Sequence, residues 1–366
     1  MKYVDEFRDP AHARRLLADI RRTASRPWTL MEVCGGQTHS LLRHGIDAEL
    51  AGTVELIHGP GCPVCVTPQE SIDRACELSR RKDVILTSFG DMLRVPGSRG
   101  SLLESRASGG NVQAVYSPLD AVELARRAPK RQVVFFAVGF ETTTPTTALA
   151  VRTAAAHELD NFSLLVAHVR VLPAMEAIAA ADDCRVDAFL AAGHVCTITG
   201  CQEYAPFANR YQMPVVVTGF EPVDLLQGIL QCVRLLEAGR AEVANCYGRT
   251  AHDLGNPTAR QLASDVYVVC DRPWRGFGVI PGGGLKLRAE FARFDAETRF
   301  SHAHLPVIDL GECHSGDVLT GRIKPPACPS FGTRCTPERP LGAPMVSSEG
   351  ACAAYFRYGH IATHHV

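Results

Sequence analysis

Apolar runs of four to eight residues alternate with amphipathic stretches along most of the chain. Residues 10–22 place Ala13, Leu16, Leu17 and Ile20 on one stripe, which predicts a helix. Residues 28–33, 54–57 and 84–88 read as buried strands, and 113–117 as a short one. Helical patterns open at Pro68 and cover 120–127. A second set follows, with strands over 133–138, 162–167, 187–191 and 214–217, and helices over 171–181 and 223–236. Strand and helix alternating through short loops predict parallel sheets covered by helices. The fold class expected is α/β: two doubly wound parallel-sheet domains related by duplication, then a loop-rich C-terminal domain. The boundaries are 1–129, 130–254 and 255–366. Residues 265–270 form the last strand expected. After it Gly and Pro accumulate, as in Pro281-Gly282-Gly283-Gly284, and the tail from Val307 reads as loop.

Charge adds little. Lysine plus arginine number 38 and aspartate plus glutamate 39, so the chain carries no footprint for nucleic acid or an anionic membrane surface. No apolar run is long enough to cross a bilayer and no secretory leader is recognisable, so the cytosol is the expected compartment. Structural disulfides are rare there, which makes 14 cysteines informative. They read as metal ligands, redox groups or small core residues.

The polar loops gather at the C-terminal ends of the strands, where open α/β sheets place their sites. The first loop holds Cys34-Gly35-Gly36-Gln37-Thr38-His39, a thiol beside backbone amides. The second is Gly59-Pro60-Gly61-Cys62-Pro63-Val64-Cys65, a Cys-X-X-Cys pair at a strand-to-helix handover, as in thioredoxin-like redox proteins. A zinc half-site or two buried thiols remain open for it. Arg94 reads as an anion ligand or as a solvated loop charge. Gly-Phe-Glu occurs twice, ending in Glu141 and Glu221, and Gly193-His194 follows another strand. Cys34, Cys62 and Cys65 are expected on the first sheet, and His194 with both glutamates on the second, across a cleft. His194 reads as an acid/base group or a helix cap, and the glutamates as caps. In the tail, Cys313, Cys328, Cys335 and Cys352 are widely spaced and flanked by proline, which suggests a metal staple. Long irregular spacing points to iron–sulfur ahead of zinc.

Together these segments resemble the HypD family of hydrogenase maturation factors. The resemblance rests on residues 31–39, 58–65, 88–97, 139–143, 192–195, 219–222 and 345–355, and spans nearly the whole chain. It implies a scaffold and redox factor assembling the Fe(CN)2CO centre of [NiFe] hydrogenase, a role closer to assembly than to enzyme turnover. Cys34 would hold the iron, shared with the N-terminal cysteine of a HypC-type chaperone. Cyanide would come from a HypE donor as thiocyanate. Cys62 and Cys65 would exchange electrons with a [4Fe-4S] cluster on the tail cysteines. Gln37, His39, His194 and Glu349 lie in the matching segments and are the remaining site candidates.

Two positions depart from the family pattern. Gln37 stands where His is common. Ser315 stands where the family usually has a cluster cysteine, which leaves Cys313 as the fourth ligand expected, with Ser315 or His314 as substitutes. Rival readings are a cytosolic thiol–disulfide oxidoreductase, needing only Cys62 and Cys65, and a zinc-stabilised binding module. A radical enzyme cleaving S-adenosylmethionine would need a Cys-X3-Cys-X2-Cys run, which the sequence lacks.

Overall fold

The computed structural model describes residues 5–300 and 311–359. The expected start of the tail, at Val307, lies outside them.

Eleven strands are described: β1 Trp28–Glu32, β2 Val54–His58, β3 Val84–Ser88, β4 Val112–Ala114, β5 Gln132–Gly139, β6 Phe162–His168, β7 Ala188–Ala192, β8 Val215–Thr218, β9 Val243–Asn245, β10 Tyr267–Trp274 and β11 Gly278–Leu287. They form three sheets, ordered β2-β1-β7-β8-β9, β4-β3-β5-β6 and β10-β11. The first two are parallel throughout and the third is antiparallel. The fold is therefore mixed α/β built on parallel sheets, as the alternation predicts.

The sheets do not follow chain order. The chain leaves the first sheet after β2, builds the whole second sheet, and returns to lay β7 beside β1. The boundary expected at 129/130 thus falls inside the second sheet, between β4 and β5. His194 and Glu221 follow β7 and β8 on the first sheet with Cys34, and only Glu141 lies on the second. This corrects the expected division of those residues. Apolar periodicity reports that a strand is buried, and says nothing of which neighbour it pairs with. Numbered within itself, each sheet has the order 2-1-3-4, the first with a fifth strand added. In this topology the crevice for a ligand opens between the first and third strands, where the connections diverge. On the first sheet these are β1 and β7.

Local sequence explains the elements. Helix Pro10–Thr23 starts at Asp9, whose carboxylate accepts from the Ala11 amide at 2.7 Å, with Pro10 in the first turn. It buries Leu16 and Ile20 against helix Pro222–Glu237, together covering one face of the first sheet. β5 from Val133 onward and all of β6 are buried, which is why they read as unbroken apolar runs.

The glycine-rich run, which follows the last strand expected, is the middle of a further strand, β11. A Cβ at Gly284 would meet the stem of Arg272, whose guanidinium donates to Val166 and Leu285 carbonyls, and Trp274 donates to the Gly283 carbonyl at 3.0 Å. The glycines make room for Arg272, so composition here reflects close packing and not a turn. Asp265 belongs to helix Pro257–Val266, and the strand begins at Tyr267. Within residues 311–359 the regular structure is short: helices Ser315–Leu319 and Ala351–Tyr358, with single 3-10 turns between. Among the described residues no helix is long and apolar enough to cross a membrane.

Candidate functional site

β1 and β2 run side by side, so the loops that follow them emerge together. Gly59 donates to the Glu32 carbonyl at 2.8 Å and Gly35 to the Gly61 carbonyl at 3.2 Å. A side chain at Gly61 would collide with the backbone of Val33 and Cys34, and one at Gly35 with the backbone of Glu349. The glycines thus bring Cys34, Cys62 and the tail segment around Glu349 into one cluster.

Cys34 caps helix Gly35–Arg43, and the amides of Gly36 and Gln37 face its sulfur. Only 3% of it is exposed. Burial pushes its pKa up, with smaller upward contributions from Glu349 and Glu32, and the two amides oppose them. The free protein therefore holds Cys34 as a neutral thiol, although a helix N-terminus alone favours a thiolate. Cys62 caps the one-turn helix Pro63–Val66, which contains Cys65 and breaks at Thr67-Pro68 before the main helix Gln69–Ser79. That turn packs against β5 and the 343–345 turn, at the junction of both sheets and the tail. Burial raises the Cys65 pKa, followed by its hydrogen bond with Cys62 and by the charge of Cys352.

His194 opens helix Gly193–Thr199 after β7, with Nδ1 4.0 Å from Cys34 Sγ. Its ring lies on Phe220, centroids 5.1 Å apart, and surrounding protein lowers its pKa while the side chain still reaches solvent. Glu349 is exposed on the tail side; burial of its carboxylate and the charge of Asp91 raise its pKa, and His39 lowers it. Cys34 therefore sits at the floor of the β1/β7 switch point, with His194 and Glu349 at its rim. Gln37 points the other way. It is fully buried, donates to the Ala191 carbonyl at 3.2 Å, and its Oε1 has no partner among the described residues. His39 bridges the Ser348 carbonyl at 3.2 Å and the Tyr358 hydroxyl at 3.4 Å, fastening the tail. Arg94 does the same through the Val346 carbonyl.

Cys313, Cys328, Cys335 and Cys352 line one apolar cavity, with buried Ser315 in the same wall. Burial raises the pKa of Cys335 and of Cys352, and the charges of the other tail thiols reinforce both. The Leu341 amide donates to Cys335 Sγ at 3.4 Å, and Cys313 Sγ lies against Gly342. Among the described residues no three His, Cys, Asp or Glu side chains converge as a single metal ion requires.

Sequence reasoning missed the layer beneath Cys34. Glu32 is fully buried. It accepts from the Cys34 amide at 3.0 Å, from Thr38, and pairs with His58 Nδ1 at 2.7 Å. His58 Nε2 reaches the Tyr355 hydroxyl at 3.1 Å, which donates to Asp47 at 3.2 Å, and Lys324 holds Asp47 at 3.1 Å. The only signal was a carboxylate and an imidazole at the last positions of two neighbouring strands, each following two apolar residues. Glu141 and Glu221 lie elsewhere. Glu221 pairs with Arg8 and caps helix Pro222–Glu237, as the cap reading expects.

Comparison with known proteins bears on this arrangement. Residues 11–359 match the HypD family, described as the hydrogenase formation hypA family. The hydrogenase maturation factor HypD of Rhodobacter capsulatus is 48% identical over 373 aligned positions, covering 98% of each chain. That of Escherichia coli K12 is 45% identical over 366, again with 98% of each chain covered.

Proposed function

The chain belongs to the HypD family of hydrogenase maturation factors, and on that premise we propose that it assembles the Fe(CN)2CO centre of [NiFe] hydrogenase in the cytoplasm, as a redox-active scaffold. One observation carries this reading: the thiols stand in series. Cys34 occupies the switch point, the Cys62–Cys65 turn follows the loop packed on it, and that turn packs against the 343–345 turn, whose Pro344 and Met345 line the cavity of the tail thiols.

The tail fits a [4Fe-4S] cluster held by Cys313, Cys328, Cys335 and Cys352. Soft anionic donors surround an apolar cavity, and the Leu341 amide already points at one sulfur. Their spread around a cavity suits a multi-iron cluster better than one zinc ion. When bound, the cluster supplies electrons one at a time. In this reading Cys65 accepts them and Cys62 shares them.

The iron is cargo. Carrying cyanide and carbon monoxide, it needs a soft anionic anchor, which the Cys34 thiolate provides. Cys34 starts neutral, so binding must expel a proton; the metal's charge and the Gly36 and Gln37 amides drive this, and His194 is placed to receive it. Cyanide arrives as thiocyanate on a HypE-type donor. Breaking its sulfur–carbon bond consumes two electrons, releasing cyanide to the iron and leaving the donor sulfur as thiolate. Cys62 and Cys65 supply both electrons, and release two protons, by closing to a disulfide. A HypC-type chaperone would share the iron through its N-terminal cysteine, entering past His194 and Glu349. The common strand order of the two sheets supports their origin by duplication.

The test is anaerobic purification with iron, sulfide and zinc analysis, alongside Cys34→Ala. Iron with sulfide in wild type, and a variant that keeps both yet no longer matures hydrogenase, is the expected result. Zinc without sulfide would remove the cluster, and maturation retained in Cys34→Ala would remove the anchor.

A further inference from the structure

A second cavity, of about 640 Å³, shares no residue with the thiol site. It lies between the segments that follow β5 and β6, the last turn of helix Gly193–Thr199, helix Pro257–Val266 and the β10–β11 hairpin, and its size suits a small ligand or one inserted side chain. Glu141 lines it, 9% exposed. Its Oε1 accepts from the Val171 amide at 3.0 Å, and its Oε2 is buried with no partner among the described residues. An unmatched buried carboxylate oxygen is costly, and a ligand bringing an N–H group removes that cost.

The remaining charges narrow the choice. Glu203 and Asp253 line the same cavity, as do Arg170 and Arg260. Both arginines are already engaged: Arg170 with the Gly282 carbonyl at 3.1 Å and Glu203 at 3.5 Å, Arg260 with the Leu254 carbonyl at 2.9 Å. The carboxylates exceed the guanidinium groups by one, and burial together with the charge of Glu203 pushes the Glu141 pKa up to about 7. A cation is what such a surplus attracts. Leu254 and Val269 line the cavity while 62% and 53% exposed, apolar surface left uncovered.

We propose that this cavity binds an organic cation, a primary ammonium or guanidinium group on a short apolar stem, with the head on Glu141 and the stem across Leu254 and Val269. The chemistry is shared by free alkylamines and by a lysine or arginine side chain of a partner protein. The cavity also touches Ile198 and Thr199, in the last turn of the helix whose first turn carries His194. A bound cation would thus press on the element that reaches Cys34.

Calorimetric titration of the full chain at pH 8 with agmatine, and separately with a blocked alanine peptide carrying one central arginine, tests the site without requiring iron. Saturable one-to-one binding of at least one probe is expected. Tighter binding of agmatine identifies a free amine as the occupant, and tighter binding of the peptide a partner's side chain. Glu141→Gln keeps the shape and the Val171 bond and should weaken binding about tenfold or more. Val269→Arg, at the exposed mouth, should abolish binding in a folded protein, which covers failure of the Glu141 variant to fold. No saturable binding of either probe, or wild-type affinity in a folded variant, overturns the proposal.

Discussion

Glu32 ends a strand as the one charged residue among buried neighbours, and three groups depend on its carboxylate: the Cys34 amide, Thr38 and His58. Removing one partner of a buried pair strands the other, at a cost of about 3–5 kcal/mol. Glu32→Ala should therefore lower unfolding free energy in urea by about that much, while Glu32→Gln, which keeps a hydrogen-bonding amide, should cost markedly less. Equal losses would show that the bonds to Glu32 are not what hold the loops. His168 gives a pH-dependent case. It is fully buried, Nδ1 3.1 Å from the Gly139 carbonyl and Nε2 2.8 Å from the Thr147 hydroxyl, and burial pushes its pKa from 6.5 to about 4. The unfolded chain takes up the proton first, so stability is intact above about pH 6.5, falls by about 3 kcal/mol in total as pH drops towards 4, and then levels off. Urea unfolding at several pH values should show this slope in wild type and a shallower one in His168→Gln. At this scale the sequence exposed Cys34, Cys62 and Cys65, because glycine beside cysteine after an apolar run has few structural explanations. It hid Glu32 and His58, because one polar residue in a buried strand looks the same whether or not it has a partner.

Elements decide which thiols act together. The cysteines at 313, 328 and 335 lie in irregular segments and Cys352 in the first turn of helix Ala351–Tyr358, and only folding of the tail onto helix Gly35–Arg43 and the 343–345 turn brings them to one cavity. Cys76 lies instead on the buried face of helix Gln69–Ser79, where burial pushes its pKa up to about 11. Cys313→Ser should therefore lower iron and sulfide content per chain, while Cys76→Ser should leave both near wild type. Equal contents would reject Cys313 as a ligand and turn attention to buried Ser315. Strand β9 and helix Pro257–Val266 went unmarked, but most other strands and long helices were legible from periodicity within a few residues. β11 was not, since its glycines answer to Arg272 and Trp274 across the hairpin, a requirement with no local signature.

At the scale of the whole molecule the decisive feature is the nesting of one sheet inside another. Pairing of β1 with both β2 and β7 means that the N-terminal third lacks a neighbour its own residues could supply. A fragment of residues 1–129 should therefore fail to give a cooperative thermal transition by circular dichroism, while the full chain gives one. A folded fragment would restore the boundary at 129/130. Two parallel sheets and their approximate strands could be read from the sequence. Their interleaving could not, because pairing partners separated by more than a hundred residues leave no periodic trace.

The same nesting sets a clock during synthesis. About 130 residues must leave the ribosome between the end of β2 and the arrival of β7, which takes roughly ten seconds at ordinary elongation rates. Throughout that interval the nascent Cys34 lacks β7 and the helix that follows it, and Cys62 and Cys65 lack the 343–345 turn later packed on theirs. Their vulnerability to stray oxidants and adventitious metals is thus greatest before the polypeptide is complete, and slowing translation upstream of Ala188 should worsen it.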